Sequence, residues 1–289
     1  MYKRQILDNT QNYSKEALSL RQNVLGWLET MHLSEAPGCT YKLNAGADPS
    51  VFASCFAVFL RHLFVDLDRL TENERRNWLM WLQDFQDKES GLFKDRGNEL
   101  RAPDESHDTE HLNRQLTTFC LSAIDVLGGK PRYELSFLER WKDTSSLTSW
   151  LNGLNWKNPW NCGNKVMFMA IFLSYAWKFQ DDLDAKTPLD VWFDWHNSYQ
   201  NPKTGFWGEG FRSHYMDGLG GAYHQYVIYN YAKRPIAYAD QIVERTLFLQ
   251  QIDGMYYPYL GGASCNDLDA VEPLVYFYLQ GNKRSAEIL

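Results

Sequence analysis

The chain is expected to be all-α: an α/α toroid of about five helical hairpins, inner and outer helices alternating, in a single domain spanning residues 1–289. Three observations predict it. A Gly-x-aromatic signature recurs along the chain, each copy is followed by a segment apolar on nearly every face, and amphipathic segments lie between the copies. The first dozen or so residues are expected to be flexible and to lie outside the packed hairpins.

The signature stands at Gly91-Leu92-Phe93, Gly205-Phe206-Trp207 and Gly254-Met255-Tyr256, with looser copies from Gly38 to Tyr41 and from Gly153 to Trp156. Phe85-Gln86-Asp87 before the first of these parallels Tyr199-Gln200-Asn201 before the second. The copies start at 38, 91, 153, 205 and 254, a spacing that suits one hairpin and a long connection per repeat.

Taken in order, the outer helices are expected near 13–31, 72–86, 134–150, 188–199 and 236–250. In the second of these, Trp78, Trp81, Leu82 and Phe85 form the apolar stripe, with Glu72, Arg75 and Arg76 on the wet side. The inner helices are expected at Val51–Phe64, Leu112–Leu127, Val166–Phe179, Ala222–Tyr231 and Leu274–Leu279. Asp48 with Pro49, Asp108, Asn161 or Asn164, Asp217 and Asp267 precede them as the expected N-caps. All five inner helices then start at one rim, which gathers Asp48, Asp108, Asn164, His224 and Asp269 at one mouth.

Composition narrows the function. A net charge of −7 with scattered Lys and Arg provides no basic stripe, so no nucleic-acid partner is expected. Five cysteines without a Cys-x-x-Cys pair read as reduced thiols. With no apolar leader at the N-terminus and no run long enough to span a bilayer, a cytoplasmic location and no membrane span are expected. The aromatic content of 15% suits both a core and the walls of a pocket that faces a cation.

With these repeats the chain resembles the terpenoid cyclase and protein prenyltransferase superfamily, to which squalene-hopene cyclases belong, over about Gly38 to Leu279. The segment Cys265-Asn266-Asp267-Leu268-Asp269-Ala270-Val271-Glu272 looks like the Asp-x-Asp-Asp motif of class II cyclases. The resemblance implies that Asp269 is the acid that protonates a double bond or epoxide. At a helix start, which favours the ionised form, Asp269 needs burial or another carboxylate, such as Asp267 or Glu272, to raise its pKa. Ala270 stands where the motif has its last Asp, and Pro273 is expected to interrupt the helix. Protein prenyltransferases hold zinc with Asp, Cys and His. The corresponding types here, His224, Cys265 and Asp267, occur in the opposite order, so neither a metal nor another cofactor is expected.

Two further clusters lie in the rim segments. Around the second inner helix, Asp108, Glu110, His111 and Arg114 are substrate-binding candidates, since i to i+4 spacing places Glu110 and Arg114 on one face. Before and within the fourth, His214, Tyr215, Asp217 and Tyr223 accompany His224, the catalytic candidate for proton transfer near neutral pH. Asn164 is a rim candidate for the substrate. Trp207, like Trp156, Trp160 and Tyr256, serves as a wedge of the repeat and is also a candidate for the pocket wall. The similar Asp182-Leu183-Asp184-Ala185 falls after an inner helix and reads as a solvated turn.

The expected function is a small class II terpene cyclase-like enzyme performing acid-initiated cyclisation or isomerisation of an isoprenoid-type small molecule. The alternatives are a carbohydrate-active α/α-barrel enzyme drawing paired carboxylates from Asp108, Glu110, Glu209 and Asp269, and a non-catalytic binding ring.

Overall fold

The structure, a computed structural model, describes residues 14–33, 39–95, 109–208, 215–257 and 264–288. Among them are eleven α-helices and one two-stranded ribbon, so the all-α expectation holds. The chain divides into two compact units, residues 1–137 and 138–289.

Unit 1 contains α1 (Lys15–Met31), the ribbon of β1 (Tyr41–Lys42) and β2 (Pro49–Ser50), α2 (Val51–Leu63), α3 (Glu72–Gln83) and α4 (Thr109–Val126). Helix α2 packs on α4 through Cys55, Ala57 and Val58 from one and Leu116, Cys120 and Ile124 from the other, all inaccessible to solvent. The expected Asp48-Pro49 cap is corrected. Ser50 caps α2, its hydroxyl accepting from the Ala53 amide, while Pro49 sits in the ribbon, where its missing N–H leaves no helix donor unmet. Thr71 and Glu74 form a reciprocal capping box at α3. Asp108, the cap expected for α4, lies outside the described residues.

Unit 2 contains the short α5 (Glu139–Lys142) and α6 (Thr144–Asn152), then α7 (Pro159–Phe179), α8 (Lys186–Tyr199), α9 (Tyr215–Ala232), α10 (Ala239–Phe248) and α11 (Ser264–Leu279). The outer helix expected over 134–150 is therefore broken at Asp143, whose carboxylate caps α6 through the Ser146 amide. Neither Asn161 nor Asn164 caps α7. Asn158 does, with Pro159 at the first helical position, and both expected caps fall inside the helix. Asp217 and Asp267 likewise lie within the first turns of α9 and α11. An acid in the first turn and an acid at the cap satisfy the same local electrostatics, so sequence alone places the boundary a few residues late.

Helix α11 also runs through Pro273 to Leu279. The proline deprives the Asp269 carbonyl of a helical donor. Leu274 and Phe277, buried beyond it, keep the second half of the helix packed on α9, where the rings of Phe277 and Tyr226 meet edge to face. Helices α7 and α9 approach closely because glycine permits it. A Cβ on Gly163 would come within 2.7 Å of the Gly221 backbone, and one on Gly221 within 2.4 Å of the Pro159 carbonyl oxygen.

The Gly-x-aromatic copies are one structural device. Gly91, Gly205 and Gly254 all adopt positive φ, which a side chain would strain. A glutamine just upstream clamps each turn: Gln86, Gln200 and Gln250 donate through Nε2 to the carbonyls of Gly91, Gly205 and Gly254 at 3.0, 2.8 and 2.8 Å. The first two glutamines donate as well to the carbonyls of Tyr133 and Ala237, in the chain leading to the next helix. The aromatic residue that ends each copy, Phe93, Trp207 or Tyr256, is buried.

Candidate functional site

Helices α2, α4 and α11 also hold the loops of three copies. The amide of Tyr41 donates to Ser54 Oγ on α2 (3.3 Å), that of Phe93 to Thr117 Oγ1 on α4 (2.9 Å), and that of Tyr256 to Asp267 Oδ1 on α11 (2.7 Å). Asp267 thus occupies a position that serine and threonine fill elsewhere. Its carboxylate is a strut for the Tyr256 loop.

Asp269, two residues on, has different surroundings. Residues 266, 269, 270, 273, 274 and 277 form the buried face of α11, and the Asp269 side chain lies within it, the residue only 4% exposed. Burial, and then the nearby Glu272 carboxylate, push its pKa up to about 7. Glu272 accepts a 2.6 Å hydrogen bond from the Tyr223 hydroxyl of α9. The Tyr223 phenol is in turn held well above its ordinary range by burial and by both acids. Asp269 and Tyr223, with Glu272 beside them, therefore form a cluster across α9 and α11 in which the Asp269 carboxyl and the Tyr223 phenol are both held above their ordinary ranges. Ala270 is wholly buried, so the last Asp of the motif would require a desolvated charge at that position.

His224 follows Tyr223 on α9, half-buried, its ring 6.3 Å from that of Trp160 on α7. The Trp160 indole covers Gly220, where an added Cβ would meet it at 2.6 Å. Asn164 is buried, but its amide turns back on its own helix, Nδ2 donating to the Trp160 carbonyl at 3.2 Å. Trp207 is a core wedge that donates its indole N–H to the His196 carbonyl at 2.8 Å and is 1% exposed, which removes it from an open pocket wall.

In unit 1, Glu110 and Arg114 form the expected i to i+4 ion pair, with the glutamate side chain 59% exposed, and His111 is buried beside them on α4. Asp108, Glu209 and His214 fall outside the described residues. Tyr215 opens α9, and its side chain is not described. Asp184 lies in an exposed turn after α7, as expected, and Asp182 caps that turn while pairing with Lys142 at 2.6 Å. Among the described residues no group of three or more His, Cys, Asp or Glu converges to hold a metal ion.

The residue that sequence reasoning underrated is Tyr223. The signal was available, because Tyr223 and His224 are the polar members of the otherwise small and apolar run from Gly218 to Ala222 and beyond. Comparisons with protein-family models, curated proteins and solved structures find no match for this chain. No described helix is long and apolar enough to cross a membrane.

Proposed function

We propose that unit 2 carries an acid-initiated isomerase or cyclase site in which Asp269 is the proton donor and the substrate is an apolar, isoprenoid-type molecule. One observation carries this reading: Asp269 is a buried carboxyl whose pKa of about 7 leaves it substantially protonated at neutral pH. A donor of this kind gives its proton to an epoxide oxygen or an electron-rich double bond and is left as a buried anion. Burial and Glu272 both disfavour that anion, which drives its reprotonation before the next turnover. Tyr223 positions Glu272 through their hydrogen bond, and the faces of Tyr223 and Trp160 suit a developing positive charge. Asp267, engaged by Tyr256, has no part in the proton transfer.

The test is incubation with farnesyl and geranylgeranyl diphosphate, squalene and squalene epoxide in deuterated water. One deuterium from solvent is expected in the product at the carbon or oxygen first protonated. Asp269→Asn should lower turnover by about a hundredfold or more, while Asp184→Asn leaves it unchanged. Retention of turnover in Asp269→Asn removes Asp269 from the mechanism. Absence of product from all four substrates removes the isoprenoid class.

A further inference from the structure

The five cysteines are all free thiols, and two of them touch. Cys55 on α2 and Cys120 on α4 have their sulfurs 3.8 Å apart, and neither residue is accessible to solvent. They lie where α2 and α4 pack, with the buried Ala57, Val58, Leu116 and Ile124, inside unit 1. A disulfide needs its sulfurs at about 2.05 Å, so an approach of about 1.8 Å closes the bond. Rotation about the two Cα–Cβ bonds supplies a movement of that size.

We propose that Cys55 and Cys120 are a disulfide-forming pair that covalently ties α2 to α4 when the protein meets a low-molecular-weight disulfide as oxidant. The reaction is two successive exchanges. One thiolate attacks a sulfur of oxidised glutathione, forming a mixed disulfide and releasing the first glutathione as thiol. The second cysteine thiolate attacks the protein sulfur of that mixed disulfide, releasing the second glutathione. Two cysteine thiols are oxidised, one glutathione disulfide is reduced to two thiols, and no proton is gained or lost overall.

Burial sets the rate. Desolvation and the neighbouring Cys55 hold the Cys120 thiol well above its ordinary range, so little thiolate exists while the helices are closed. Exchange therefore proceeds through openings of α2 against α4, and mild denaturant accelerates it. Once formed, the bridge closes the chain between positions 55 and 120, which contain α3 and the Gly91-Leu92-Phe93 loop, and raises the melting midpoint of unit 1.

The experiment treats the full chain with oxidised glutathione, with and without urea at a concentration below its unfolding midpoint. The protein is then denatured, alkylated with iodoacetamide and read by intact and peptide mass. The expected product is 2 Da lighter than the reduced protein before alkylation. It carries a peptide cross-link between Cys55 and Cys120, forms faster in urea, and melts several degrees higher than the reduced protein. Cys55→Ala and Cys120→Ala should each abolish this cross-link and leave no substitute. Five alkylated or glutathione-capped cysteines in both arms, or a cross-link through Cys39, Cys162 or Cys265 in place of this one, would overturn the proposal. The wild-type measurement decides the matter even if a variant fails to fold.

Discussion

Helix α4 of unit 1 and helix α11 of unit 2 use the same architectural device and treat their acids in opposite ways. Each lends a side chain to the Gly-x-aromatic loop before it, Thr117 to Phe93 and Asp267 to Tyr256. The first-turn acid of α4, Glu110, faces water and is neutralised by Arg114. The acid of α11, Asp269, is buried, and the charged neighbour that shifts it is a second acid, Glu272. Whether a carboxylate near a helix start is a surface charge or a proton store is thus decided by burial and by the sign of its neighbour, with helix position secondary.

The largest effect that could break this contrast is the pH dependence of stability. The folded pKa of Asp269, about 7, lies above the ordinary value of 3.8. As pH rises from about 4, the unfolded chain releases this proton first. The stability this group contributes is fully present below its unfolded pKa and lost as pH passes through 7, an effect of about 4 kcal/mol. Asp269→Asn cannot ionise, so its stability relative to the wild type should rise between pH 4 and pH 8. Chemical denaturation at both values measures it, and parallel wild-type and variant curves would show that Asp269 is ionised in the folded protein. Glu272→Gln sharpens the point: removing the second acid should move the transition to lower pH while Asp269 stays buried.

Next in size are the loop struts and clamps. Asp267→Ala strands the Tyr256 amide and should cost about 2 kcal/mol, against about 1 kcal/mol for Thr117→Val, because the acceptor lost from α11 is charged. Asp267→Ser should recover part of the loss, as Ser54 does this work at the first copy. Among the clamps, Gln200→Ala should cost about 2 kcal/mol, since two backbone carbonyls lose a largely buried donor. Gln250→Ala removes one more exposed bond and should cost under about 1 kcal/mol. Thermal melting ranks all of these, and equal losses at Gln200 and Gln250 would show that the two copies carry equal loads.

The helices were legible because each satisfies a local rule. Phe85-Gln86-Asp87 and Tyr199-Gln200-Asn201 repeat in the sequence, while the clamp their glutamines make is visible only in the hydrogen bonds. The site was less legible, for a reason visible in α11. Leu268, Val271, Val275 and Tyr278 are spaced as an apolar helical face, yet they are 41–53% exposed, and the opposite face bearing Asn266, Asp269, Leu274 and Phe277 is the buried one. With apolar residues on both sides, periodicity does not say which face turns inward, and the depth of Asp269 cannot be read from it. The role of Asp267 was hidden for a different reason. A strut is a tertiary bond to a loop amide eleven residues away, and the same Asp-x-Asp spelling fits both a catalytic pair and a strut beside an acid.

The smallest expected effect is the control for the whole contrast. Glu110→Gln removes the charge from the exposed acid of α4 and breaks its ion pair with Arg114, whose own side chain is mostly covered. An i to i+4 pair at a solvated helix surface contributes about 0.3–0.5 kcal/mol. The glutamate also lies in the first turn of α4, where a negative charge adds a few tenths of a kcal/mol more through the helix dipole. The loss should therefore stay below about 1 kcal/mol and shrink further in 1 M salt, where the Debye length falls to about 3 Å. Turnover should be unchanged. A loss above about 2 kcal/mol that persists in high salt would mean that Glu110 and Arg114 act as a buried pair, and the distinction between α4 and α11 would disappear.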